Sequence, residues 1–375
     1  MLSAEKRLRD FPALSRLTYL NTAAESIPPQ CVHEAIEQYC LDKNDGMHGR
    51  EAHFATLEAC REISARMIGL ATEEVSFCSC SSEAYNLLAN ALDLKQKHEV
   101  VITDLDFPAG ATPWLNAATP PMVQLWKAQE GALLAEDLIP LLNERTRLVQ
   151  VSLVSFFNGH RLDWTPFIQS VRGYAPNALV SVDITQALGR VDLDCEDADC
   201  FISSTHKWAL GIHGGCVVGI PQKRASEVTT NAGGWFHLQN AFEPDRFDRA
   251  VSKSGAASFS VGMPNFVSLY ALNASLRYLD EIGVVNIAAH ADPLVHQMEA
   301  GLRELGLTPM AAQREGYASG ILAFLHEDTE SIHGAMEDAE VHIMHHAGRL
   351  RMALHGYNTR KDVEKFLEVL RVGLS

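Results

Sequence analysis

Ser181-Val-Asp183-Ile-Thr-Gln186-Ala187 and, a few turns of chain later, Cys200-Phe-Ile-Ser-Ser204-Thr-His206-Lys207-Trp208 share one pattern. In each, a short β-branched or apolar run ends abruptly in polar side chains. The same pattern recurs on both sides, with runs at 74–78, 100–103, 122–125, 148–154, 179–183, 200–203 and 216–220, most of them separated by helix-compatible segments. Apolar strands alternating with helices predict a mostly parallel, seven-stranded sheet covered on both faces. Such sheets bind ligands beyond the carboxyl ends of their strands. That is where Ser81-Ser82-Glu83, Asp106-Phe107-Pro108, Asp183–Gln186 and Ser204–Lys207 fall.

Working outward, Pro28-Pro29 opens a helix over 31–43, and a second spans 51–68 with Gly69 as its stop. From about Pro264 the alternation gives way to long helices over 265–282 and 286–305, two short strands at 320–325 and 349–353, and a last helix over 361–372 signalled by Asn358-Thr359. The expected organisation is an N-terminal segment (1–20) packing with the small domain, a large α/β domain (21–263) and a smaller α+β C-terminal domain (264–375).

The 375 residues carry a formal net charge of −16, a poor match for nucleic acid or an anionic membrane surface. No apolar run approaches the roughly 18 residues of a membrane span. Met1–Asp10 is charged, without the apolar stretch of a leader. The eight cysteines form no CxxC pair and are read as reduced thiols, so a cytoplasmic location is expected.

Lys207 follows an apolar strand directly. Burial there would lower its pKa and free the amine for Schiff-base formation, although a solvated loop lysine would look the same locally. Asp183 ends the preceding strand. A carboxylate in that place suits the pyridinium nitrogen of pyridoxal 5′-phosphate (PLP) and would keep the ring an electron sink; it would equally suit capping of the next turn.

Asp183-Ile-Thr-Gln186 followed by Ser204-Thr-His206-Lys207 resembles the D-x-[A/T]-Q and S-x-H-K motifs of the class V aminotransferase family, fold-type-I PLP enzymes that include cysteine desulfurases, selenocysteine lyases, isopenicillin N epimerase-like enzymes and kynureninase. The likeness extends through Tyr19–Ala24, Ser81–Asn86 and Gly348-Arg-Leu-Arg351 through Thr359. It implies that Lys207 carries the cofactor and moves the substrate Cα proton. Asp183 would meet the pyridine nitrogen and Gln186 the phenolic oxygen. Ser81 and Ser82 would cradle the phosphate at a helix N-terminus, with Ser204 and His206 near it. Phe107 would stack on the ring, Thr185 would lie on its opposite face, and Arg351, with Arg349 and Arg161 as alternatives, would hold the substrate carboxylate. It further implies a homodimer with shared active sites.

Three departures stand out. Met263 in Gly262-Met263-Pro264 replaces the threonine of the family's neighbour-subunit phosphate contact. Ser155-Phe-Phe-Asn158-Gly-His160-Arg161 is bulky and aromatic, and is expected to line the substrate pocket. No cysteine follows Cys216, so the persulfide-carrying thiol of cysteine desulfurases is missing; the 336–351 stretch carries His342, His345 and His346 instead, expected as loop histidines near the active-site mouth and not as a metal site. The expected function is therefore a PLP-dependent class V aminotransferase acting on a small amino acid. A non-persulfide β-lyase or an epimerase uses the same residues, and a non-catalytic PLP-fold protein is the reading from another class.

Overall fold

The computed structural model describes residues 2–374. In chain order the elements are α1 (Ala4–Asp10), β1 (Thr18–Tyr19), α2 (Gln30–Asn44), α3 (Arg50–Ile68), β2 (Val75–Cys78), α4 (Ser81–Leu92), β3 (Glu99–Thr103), α5 (Pro108–Leu115) and β4 (Met122–Trp126). There follow α6 (Ala135–Leu138), β5 (Thr146–Ser152), α7 (Trp164–Tyr174), β6 (Leu179–Asp183), β7 (Cys200–Ser204) and β8 (Cys216–Gly219). The C-terminal part holds α8 (Phe266–Ile282), α9 (Val284–Glu304), β9 (Ile321–Leu325), α10 (Thr329–Asp338), β10 (Val341–His342), β11 (Met344–His346), β12 (Arg349–Ala353) and α11 (Arg360–Gly373).

The main sheet has seven strands in the order β2-β8-β7-β6-β5-β3-β4. Neighbours from β4 to β7 run parallel, and only β8 opposes both of its partners. Successive side chains point to opposite faces. Val101, Val149, Val151, Val180 and Val182 enter one apolar core, and Val100, Ile102, Leu148, Leu179 and Ile202 enter another. Two covered faces explain why these runs are continuously apolar. Gly69 ends α3 at φ 72°, as its position predicts.

A third core gathers β9, β12, α10 and α11 around Leu322, Phe324, Leu350, Met352 and Phe366. Thr359 and Asp362 form a capping box at α11, with the Thr359 N–H donating to Asp362 Oδ2 at 2.7 Å. The N-terminus reaches this region directly: β1 pairs in parallel with β10, and the Arg7 guanidinium meets Asp362.

The 336–351 stretch is not an active-site loop. Met336 lies in α10, and His342 and His345 lie in β10 and β11. His345 Nε2 sits 3.1 Å from Thr329 Oγ1, and its ring is 5.5 Å from that of His333. His345 packs against α10, His342 lies beside the Tyr19 ring of β1, and His346 is exposed. Alternating polar and apolar residues over six positions are too short a signal to separate two strands from a loop.

Candidate active site

The parallel strands deliver their polar ends to one edge of the sheet. Phe107 and Asp106 follow β3, Ser152 ends β5, Asp183 ends β6 and Ser204 ends β7. Phe107, Ser152, Asp183 and Ser204, together with Ser81, Val154, Phe156, Thr185, Gln186, His206 and Lys207, line one cavity; Asp106 lies outside that lining. The turn carrying Lys207 is closed by the Gly211 N–H donating to the Thr205 carbonyl at 2.9 Å and by Thr205 Oγ1 donating to the Ile212 carbonyl at 2.7 Å. Ser26 clamps the same turn, its N–H donating to the His206 carbonyl at 3.0 Å.

The Lys207 amine makes no hydrogen bond among the described residues and lies 5.2 Å from the centroid of the Phe107 ring. Burial pushes its pKa down to about 8; Asp183 opposes this and Arg351 adds to it. Asp183 is firmly held. Tyr85 Oη donates to its Oδ2 at 2.8 Å and the Thr185 N–H to its Oδ1 at 2.8 Å, so the carboxylate both closes its own turn and faces the cavity. Thr185 Oγ1 accepts from the Ser204 N–H at 3.0 Å, tying β7 to the β6 turn.

Gln186 is more committed than its sequence position suggests. Its Nε2 donates to the Ala23 carbonyl at 3.0 Å and its Oε1 accepts from Trp208 Nε1 at 2.6 Å. One amide N–H remains for a cofactor oxygen. His206 stacks on His213 with centroids 4.2 Å apart, and His213 lies 3.2 Å from Glu25. Burial, then Lys207 and His213, push His206 down to about 4, so near neutral pH it offers a phosphate one N–H and no charge.

Ser81 begins α4 and lines the cavity, whereas Ser82 is exposed and outside the lining. Arg351 lies behind the lining, its Nη1 donating to the Phe156 carbonyl at 2.6 Å. Arg161 is not brought to this cavity: it donates to the Asp192 carbonyl and lies 3.7 Å from the Tyr317 ring centroid. Of the 155–161 segment, Phe156 alone reaches the lining, its ring 5.0 Å from that of Phe107. Cys78 is buried against the Phe259 carbonyl, and Cys80 caps α4 with its Sγ accepting from the Glu83 N–H.

Three participants receive no role from the sequence. Tyr85 sits 98 positions from the carboxylate it contacts. Asp106, its carboxyl pushed up to about 7 chiefly by burial, accepts from Ser152 Oγ at 2.9 Å. Glu25 feels both His213 and Lys207. Asp106 stands in the polar cluster after β3 and Tyr85 inside the Ser81–Asn86 motif, but neither pattern gives the contact the side chain makes, and Glu25 stands in no such pattern.

The residues present suit PLP. A half-buried amine without a partner among the described residues, a carboxylate fixed at the far side, an aromatic ring beside the amine and a twelve-residue helix opening its N-terminus into the cavity supply a group for each part of the cofactor. Site and fold thus define a fold-type-I PLP-dependent enzyme. The family model for aminotransferase class-V matches residues 18–366, and the chain belongs to that family. It is 28% identical to a protein named uncharacterized aminotransferase YcbU of Bacillus subtilis (strain 168), over 96% of this chain and 95% of that one. It is likewise 28% identical to a cysteine desulfurase of Synechococcus elongatus, covering 97% of this chain and 62% of the relative. Among solved structures, the apo cysteine desulfurase of Thermococcus onnurineus NA1 superimposes with a TM-score of 0.87 at 23% identity over 99% of both chains. A cystine C-S lyase in complex with its product cysteine persulfide gives 0.88 at 18% over 96% of this chain and 99% of that one.

Proposed function

We propose that the protein is an aminotransferase acting on a small α-amino acid, with Lys207 as the residue that bears PLP and moves the Cα proton. The observation that carries this reading is the unpartnered Lys207 amine, held at a pKa of about 8 between the Phe107 ring, the Asp183 carboxylate and the Arg351 guanidinium. PLP, when bound, supplies an electron sink that acidifies the substrate Cα–H. Lys207, its pKa brought down by burial to about 8 and so toward working pH, is matched to take that proton and return it. Asp183, fixed by Tyr85 and Thr185, would keep the ring nitrogen protonated. The N-terminus of α4 with Ser81, Ser204 and His206 would bind the phosphate. Arg351 would hold the α-carboxylate. Phe107 and Phe156 would exclude water from the reacting face.

β-Elimination is the second reading, favoured by the several relatives named cysteine desulfurases. A persulfide-forming desulfurase is disfavoured. No cysteine follows Cys216. Burial pushes the Cys60, Cys195 and Cys200 thiols up to about 12, far from the thiolate that attack on sulfur needs. We also propose that the enzyme is a cytoplasmic homodimer; all eight cysteines are free, and no helix among the described residues is long and apolar enough to cross a membrane.

The test is a panel of amino acids mixed with holoenzyme, scored for keto-acid formation, for ammonia or sulfide release and for loss of optical activity. Stoichiometric keto acid in a first half-reaction supports transamination. Ammonia release without an amino acceptor would replace it with β-elimination.

A further inference from the structure

β12 places Arg349 and Arg351 two positions apart, hence on one face about 6.6 Å apart along the strand. The intervening Leu350 and the following Met352 turn the other way into the small-domain core. Both arginines are almost fully buried, at 1% and 2% exposure. Neither has an ion pair among the described residues. Arg349 Nε and Nη1 and Arg351 Nε are buried without any hydrogen-bond partner. The Arg349 guanidinium lies 4.0 Å from the centroid of the Phe157 ring, beside the Phe156 carbonyl that receives Arg351.

The fold treats another buried arginine differently. Arg190, fully buried, has Asp292 at 2.7 Å and the Leu354 carbonyl at 3.0 Å. An ion removed from water without a counter-ion costs several kcal/mol. Two such ions on one face, repelling each other, leave a demand for two negative charges that the described residues do not meet.

We propose that Arg349 and Arg351 together receive a doubly acidic substrate: an α-amino acid whose side chain ends in a second anionic group, a carboxylate or sulfinate. This rests on the reading of the site as one for amino acids. It assigns the α-carboxylate to Arg351, which lies close enough to Lys207 to lower its pKa, and the distal acid to Arg349, beside the aromatic pair Phe156–Phe157. A guanidinium fork suits either acid geometrically. A neutral amino acid would leave Arg349 buried and unpaired, which is the physical basis of discrimination.

Holoenzyme is titrated with succinate and with butyrate, which share a four-carbon chain and differ in one carboxylate. Succinate is expected to bind at least about 30-fold more tightly, the low end of what one desolvated charge pair contributes. Arg349→Met is expected to abolish that preference while leaving butyrate binding nearly unchanged. It is also expected to raise the melting temperature of the ligand-free protein, since it replaces an unpaired buried ion by an apolar chain of similar size. Equal binding of the two acids, equal weakening of both by Arg349→Met, or a lowered melting temperature without ligand would each overturn the proposal and make Arg349 a packing residue. Aspartate, cysteine sulfinate and alanine are then added separately to the holoenzyme. If none changes its visible absorption, the amino-acid reading itself falls. If alanine changes it as readily as the two acidic compounds do, only the doubly acidic substrate is lost.

Discussion

Lys207 has two neighbours that raise its proton affinity, Asp183 and Glu25, and it still titrates near 8, because burial outweighs them. The sign follows from charge: desolvation penalises the ammonium, so the folded-state pKa falls below the ordinary lysine value. Below about pH 8 the amine is mainly protonated and cannot add to an aldehyde; above it the amine is mainly free. The rate of PLP uptake by the apoprotein is therefore expected to climb through pH 8 and level off, and a plateau reached already at pH 6 would contradict it. Borohydride reduction of the holoenzyme and peptide mapping should place the pyridoxyl group on Lys207 alone. Arg351→Ala removes the proposed partner of the α-carboxylate and leaves a buried anion unpaired, so kcat/KM is expected to fall by about 2–5 kcal/mol in transition-state terms. The absorption of the resting holoenzyme should not change.

The loop between β5 and α7 packs against β9 of the C-terminal part. The loop folds back through a bridge between Val154 and Arg161, and Asn158 Nδ2 donates to the Gly131 carbonyl at 2.7 Å. Gly159 sits at its tip with φ +80°, and a Cβ there would lie 2.2 Å from the Ile321 carbonyl oxygen of β9. Left-handed strain and the clash together predict that Gly159→Ala destabilises by about 2–4 kcal/mol in denaturant titrations. Because the same loop presents the Phe156 carbonyl to Arg351, affinity for carboxylates should weaken in parallel. Gly173→Ala in α7, where nothing lies within 4 Å of the added Cβ, is the control and is expected to be neutral or stabilising. A Gly159→Ala protein as stable as the control would mean that the small domain yields freely at this contact.

Across the whole molecule, the long irregular segment between β8 and α8 carries Phe242 at 82% and Phe247 at 88% exposure, with Trp235 partly exposed beside Phe242. Large apolar rings left in water mark contact surfaces. The Trp235 N–H donates to the Val261 carbonyl at 3.0 Å, so this aromatic surface adjoins Gly262-Met263-Pro264, where the family places its neighbour-subunit contact. We therefore expect a C2 dimer through this surface. Light scattering should give twice the chain mass for the native protein and the chain mass for Phe242→Asp combined with Phe247→Asp. A native monomer with full activity would refute it. Intact-mass analysis after L-cysteine turnover is expected to show no stable sulfur adduct, since no cysteine follows Cys216 and the buried thiols are poor nucleophiles; an adduct on exposed Cys40 or Cys80 would overturn it.

By itself the sequence determined the central sheet, the clustering of polar residues at its strand ends, and the family. Each of these rests on local patterns: the apolar runs have the period of buried strands, and the D-x-T-Q and S-x-H-K motifs follow the strands directly. It could not determine what those residues touch. Asp183 is held by Tyr85, 98 positions away, and Gln186 gives one donor to Ala23, 163 positions away. His342, read as a loop residue, became a strand residue because β10 is completed by β1 from the opposite end of the chain, while His345 and His346 lie in β11, which pairs with β12. Above all, Arg349 in sequence is an ordinary basic residue, usually solvated. Only the packing of the small domain on the Phe156–Phe157 loop strips its water and withholds a counter-ion. Burial and pairing are properties of contacts between residues distant in sequence, and tertiary structure alone decides them.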